Sequence, residues 1–83
     1  MIEWKGRVLV PTKSAYYELL NLGFDLYDVL TILEEGKRCE RSKRKKGIVE
    51  KCLRRKNRTY KVVVAETIYL GKPAWAIIHV GRF

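Results

Sequence analysis

The chain has 83 residues, 47% of them hydrophobic and 33% charged, and carries a net charge of +9. This length makes one domain that buries only about 60% of its unfolded surface, and the composition is globular rather than disordered. No run approaches the ~18 apolar residues that span a bilayer, and residues 1–10, with Glu3, Lys5 and Arg7 among them, lack the apolar core of a signal peptide, so the expected address is the cytoplasm.

Ile2, Trp4, Gly6, Val8 and Val10 alternate with Glu3, Lys5, Arg7 and Leu9, a period of two that predicts one half-buried strand. Pro11 ends it, because proline supplies no ladder donor. Thr12 is placed to cap a helix from about Lys13 to Leu22, with Ala15, Tyr16, Leu19, Leu20 and Leu22 as its apolar stripe, and Gly23 suits the left-handed position that closes it. A second helix follows, capped by Asp25, with Phe24 as a staple onto Val29. Leu26, Val29, Leu30 and Leu33 give it one apolar face, and Gly36 ends it. Residues 37–47 form a basic loop or helix extension that has no core of its own.

A strand is predicted from Ile48 to Arg55, a turn at Asn57 and Arg58, and a strand from Tyr60 to Leu70. The run Val62-Val63-Val64 implies burial on both faces and a central position. Gly71, Lys72 and Pro73 make a turn, and Ala74 to Val80 is the last strand. The fold class is therefore α+β in the order β-α-α-β-β-β: an N-terminal strand, a helical hairpin and a three-stranded antiparallel meander in a single domain over 1–83.

Between Lys37 and Arg58 stand Lys37, Arg38, Arg41, Lys43, Arg44, Lys45, Lys46, Lys51, Arg54, Arg55, Lys56 and Arg58, against Glu40 and Glu50 alone. About a quarter of the chain thus carries the whole charge excess. Such a concentration attracts polyanions. A membrane surface is a poor fit, because the basic run lacks the apolar face of an amphipathic membrane helix.

With His79 as its one histidine beside Cys39 and Cys52, the chain cannot build a four-ligand Cys/His zinc site, and it has no phosphate loop, HExxH or nucleophile elbow. No metal or cofactor is expected. The two cysteines read as reduced thiols in the cytosol; a Cys39–Cys52 bridge is the alternative in a hyperthermophile, a habitat to which a chain with no Gln, two Asn and one Met leans. The remaining chemistry is cationic. RNA is cleaved by its own 2′-hydroxyl when a base, an acid and cations surround the phosphate. Lys51 and Arg55 share one side of their strand, Arg54 takes the other, and His79 and Arg82 lie late in the last strand. Lys51, Arg55 and His79 are the catalytic candidates. Lys37, Arg38, Arg41, Lys43, Arg44, Lys45, Lys46, Arg54, Lys56, Arg58 and Arg82 are the nucleic-acid-binding ones. The bland readings are a structural His79 and cations that position phosphates. Tyr60, Tyr69 and Trp75 are placed to stack on bases, with core packing the stronger reading for Trp75, and Tyr16, Tyr17 and Tyr27 read as packing residues.

The stretch from Thr12 to Gly47 (TKSAYYELLNLGFDLYDVLTILEEGKRCERSKRKKG), followed by YKVVVAE and AWAIIHV, resembles small domains related to the RelE and BrnT toxins. The resemblance implies a RelE-like fold, mRNA cleavage, usually on the ribosome, and an acidic antitoxin as partner. Ser14 and Glu18 depart from the pattern, where related domains often carry a histidine and an arginine. The readings are thus an RNA-binding domain of toxin type, with or without metal-independent endoribonuclease activity; a non-catalytic nucleic-acid binder; or a module for an acidic protein. Replacing Lys43, Arg44, Lys45 and Lys46 by glutamate is expected to leave the circular dichroism spectrum intact and to abolish RNA retention in a gel-shift assay.

Overall fold

The structure, a computed structural model, describes residues 2–39 and 46–83. Among these residues it is an α+β domain with two helices and one six-stranded sheet. In chain order the elements are β1 (Glu3–Trp4), β2 (Arg7–Pro11), α1 (Lys13–Leu22), α2 (Leu26–Glu35), β3 (Lys37–Arg38), β4 (Ile48–Arg55), β5 (Arg58–Tyr69) and β6 (Lys72–Arg82). The sheet order is β1-β2-β6-β5-β4-β3. The expected meander is β4-β5-β6, and the N-terminal strand joins it parallel to β6, with Leu9 beside Trp75 and Pro11 beside Ile77.

The sheet has six strands rather than the expected four. The N-terminal strand is a small hairpin, not one run: Lys5 and Gly6, both at positive φ, reverse the chain so that Trp4 pairs with Arg7. Alternation continues through such a turn, so the pattern hides it. Lys37 and Arg38, expected in a loop, form a two-residue edge strand opposite Cys52 and Lys51. The other turns also shift. Lys56 and Asn57 turn the β4–β5 hairpin, and Leu70 and Gly71 turn the β5–β6 hairpin, all four at positive φ, as two-residue hairpin turns with right-handed strand twist require.

Thr12 caps α1, its Oγ1 accepting from the Ala15 amide, and both its amide and its hydroxyl donate to the Ile77 carbonyl. The helix is thereby tied to β6 where β2 ends. Gly23 at φ 70° closes α1, and the Phe24 amide returns to the Leu19 carbonyl, the bonding of a left-handed helix terminus. Asp25 and Asp28 cap α2 reciprocally, each side chain accepting from the other's amide. A side chain on Gly36 would overlap the Ile32 carbonyl and stand 2.8 Å from the Cys52 carbonyl, so glycine lets the end of α2 lie directly on β4.

Both helices cover one face of the sheet. Ala15, Leu19, Val29, Ile32 and Leu33 meet Leu9, Val62, Val64, Trp75, Ile77 and Val80 there. Val62, Val63 and Val64 are fully buried, as a central strand demands. Trp75 is a core residue: its ring lies 5.4 Å from that of Trp4, and its Nε1 donates to the Trp4 carbonyl. Tyr16, Tyr17 and Tyr27 are at least half exposed and do not pack in the core. Ala15 and Leu19, four apart, centre the buried stripe of α1, and Tyr16 and Leu20 fall about 100° to its side.

Cys39 and Cys52 form a disulfide, which corrects the expectation of reduced thiols. The β3–β4 pairing brings the two strands together at this point, a proximity that sequence spacing does not reveal. In the chain-entropy account, closing a ring of this size contributes about 3 kcal/mol. Changing both cysteines to alanine is expected to lower the unfolding free energy in urea by that order, and an unchanged midpoint and slope would contradict the account.

Candidate nucleic-acid interface

The sheet ends on one side in β4 and β3, and the cations gather there. Arg41, Lys43, Arg44 and Lys45 lie outside the described residues. The eight described cations between 37 and 58 are Lys37, Arg38, Lys46, Lys51, Arg54, Arg55, Lys56 and Arg58. All except the half-buried Lys51 are exposed. Arg55 pairs with Glu35, Nη2 to Oε1 at 3.4 Å. Among the described residues, the other seven make no ion pair. Lys61, which sequence reasoning left aside, is matched: its Nζ stands 3.4 Å from the buried carboxylate of Glu50.

The register sorts these groups by face. Lys51 lies opposite Val62 and Arg55 opposite Arg58, both on the helix-covered face, while Arg54 lies opposite Thr59 on the other. Lys51 and Arg55 do share a side. Arg82 lies opposite Tyr60 across the β5–β6 pairing and so joins the same face.

His79 does not join them. It lies on β6, two strands from β4, at a break in the β5–β6 register, and its imidazole meets α1 rather than Lys51 and Arg55. Nδ1 lies 3.0 Å from Glu18 Oε2 on α1, and Glu18 Oε1 accepts from the Val80 amide at 3.1 Å. Beyond Ile77 the strand β2 has left the sheet, and Glu18 takes over one donor of the uncovered β6 edge. A β-bulge lies here, with Val63 opposite His79 and Val64 opposite Ile77, leaving Ile78 without a partner in the ladder.

Between α2 and the β4–β5 turn is a cleft of about 520 Å³, lined by Phe24, Asp28, Thr31, Ile32, Leu53, Arg55, Lys56, Arg58 and Tyr60. Its floor is apolar and aromatic, with the Phe24 and Tyr60 rings 5.2 Å apart. One wall is cationic, from β4, β5 and their turn. The other is the first two turns of α2. The volume suits a single small ligand unit. Tyr60 was legible as a base-stacking residue and Phe24 as a helix staple, but nothing in the sequence marked Asp28 or Thr31 as cleft residues. Their share in a cleft depends on how α2 docks on β4. Tyr69 sits nine residues along β5 from Tyr60, roughly 30 Å away, and belongs to the far hairpin tip.

Among the described residues no cluster of three or more His, Cys, Asp or Glu is arranged to hold a metal, and no helix is long and apolar enough to cross a membrane. Comparison with family models, characterised proteins and solved structures finds no match to this chain.

Replacing Glu18 by alanine removes the acceptor of the Val80 amide and should cost about 1 kcal/mol in thermal or urea unfolding. The glutamine variant keeps an acceptor and is expected to cost less. Neither is expected to alter RNA affinity. A change in affinity with unchanged stability would give the Glu18–His79 pair a role at the interface.

Proposed function

We propose that this chain binds single-stranded RNA along the β3–β4–β5 side of its sheet, with the chain lying across Lys37, Arg38, Lys51 and the β4–β5 turn. The carrying observation is that seven of the eight described cations in this segment have no carboxylate partner. Like charges held close on a small, marginally stable domain repel, and phosphates relieve that repulsion while releasing counterions. Aromatic faces beside the cations add a stacking surface that tolerates any base.

A duplex groove reader is a weaker fit. Such proteins insert a basic helix or ribbon into the major groove. Here α2 starts with Asp25 and Asp28 and ends with Glu34 and Glu35, and α1 carries Lys13 and Glu18. Neither helix has a cationic outer face.

The strand–helix–helix–meander order of β2, α1, α2, β4, β5 and β6 is compatible with the RelE-like arrangement that the sequence resemblance implies, and that relation is part of the proposal. Cleavage gains no support from the site. With His79 two strands away and beside Glu18, Lys51 and Arg55 are left as phosphate-positioning cations rather than members of an acid–base pair. RNA incubated with the protein, with and without ribosomes, is therefore expected to be bound and to remain intact.

The reading predicts a steep salt dependence, log affinity falling by about 0.7 per phosphate contact for each unit of log salt concentration. Replacing Arg54, Lys56 and Arg58 together by glutamate should lower affinity for an RNA octamer at least tenfold. It should also reduce the salt slope by about 2, the share of three contacts. Fluorescence anisotropy across a salt series checks both. A wild-type affinity that does not vary with salt would remove the proposal, and capture of an acidic protein that survives nuclease treatment would favour a protein partner instead.

A further inference from the structure

The walls of the cleft differ in what they can offer a ligand. On α2, Thr31 Oγ1 already donates its hydrogen to the Tyr27 carbonyl at 3.0 Å, so toward the cleft it has only acceptor capacity left. Asp28 is a carboxylate, also an acceptor; Oδ2 takes the Asp25 amide at 2.9 Å, and each carboxylate oxygen has two lone pairs. The α2 wall therefore asks for donors. The opposite wall, with Arg55, Lys56 and Arg58, has only donors and positive charge and asks for acceptors or an anion. Between them lies the Phe24–Tyr60 pair, a surface for a flat ring.

A ligand that fits must be planar, carry several N–H donors on one edge and bear a phosphate on the other side. Among the four RNA bases, guanine has the donor-rich edge: its N1–H and N2 amino group present two parallel donors to the two oxygens of a carboxylate. Uracil offers one ring N–H, and adenine and cytosine one amino group each. We infer that the cleft is a guanine-selective base pocket, in which an unstacked guanine lies on Tyr60 with its Watson–Crick edge toward Asp28 and Thr31 and its phosphate toward Arg58 and Lys56. This deepens the RNA-binding reading and rests on it. Single-stranded RNA is read in this manner, by stacking plus hydrogen bonds to the edges of splayed bases. The capping box serves the pocket as well, because the Asp25 amide fixes the Asp28 carboxylate before a base arrives, as a preorganised site needs.

The test uses the full chain and labelled uridine octamers that are uniform or carry one central G, A or C. The G octamer is expected to bind roughly tenfold tighter than the others, the discrimination typical of a bidentate base contact. Asp28→Asn keeps an oxygen for the Asp25 amide but turns a donor toward the base, so the preference for G should vanish while the uniform octamer still binds. Should Asp28→Asn lower the melting temperature, Thr31→Val, which leaves the capping box whole, is expected to weaken the G preference severalfold. Equal affinity for all octamers, with steep salt dependence, overturns the pocket and leaves the RNA-binding reading standing. No binding of any octamer overturns both. A G preference that survives in both variants overturns the assignment to α2.

Discussion

Three consecutive valines hold this molecule together. Val62, Val63 and Val64 sit at the middle of β5 with no exposed surface, and β5 is hydrogen-bonded on both sides, to β4 and to β6. Val62 and Val64 carry the helices through the core shared with Val29, Ile32 and Leu33. Val63 faces the other way, between Glu50 and His79 in the register. A twelve-residue strand fixed at its centre projects at both ends. One end presents Arg58 and Tyr60 to the cleft under α2. The other runs past the start of β4 with β6 still paired beside it, to a turn where Ile68, Tyr69 and Leu70 are exposed. The candidate interface is therefore placed by burial some residues away from it, and its own exposed cations contribute little to stability.

The cost of that placement falls on charge and on backbone. Four of the eight described cations fall within five residues, from Arg54 to Arg58, around a two-residue turn. Lys56 and Asn57 there hold φ near 47° and 67°. Asparagine adopts this conformation readily and lysine does not, so Lys56 stores about 1 kcal/mol of backbone strain within the cluster. The hairpin register and the Leu53–Tyr60 contact with the core fix the turn regardless. The same type of turn at Leu70 holds a leucine at φ 51° in the open, where asparagine or glycine is more usual.

The disulfide joins the two ends of the segment that contains the densest run of cations. Cys39 follows β3, and Cys52 lies in β4. Arg41, Lys43, Arg44, Lys45, Lys46 and Lys51 all fall inside the ring it closes. A covalent tie here opposes the spreading that like charges favour.

By itself the sequence determined both helices almost to the residue, because Thr12, Gly23, Asp25 and Gly36 act within a turn of the ends they mark. It also determined β4, the central place of the valine run, and the concentration of charge, since periodicity, β-branching and charge are local properties. The tertiary structure decided the rest. Pairing of β2 with β6 joins residues more than sixty positions apart; the split of the first strand and the short β3 depend on neighbours that no window of sequence contains. Sheet register placed His79 away from Lys51 and Arg55 and brought Cys39 to Cys52, and the docking of α2 on β4 made Asp28 and Thr31 part of the wall of a cleft. Which face a side chain takes, and which other chain segment it meets there, follows from long-range packing rather than from the order of residues around it.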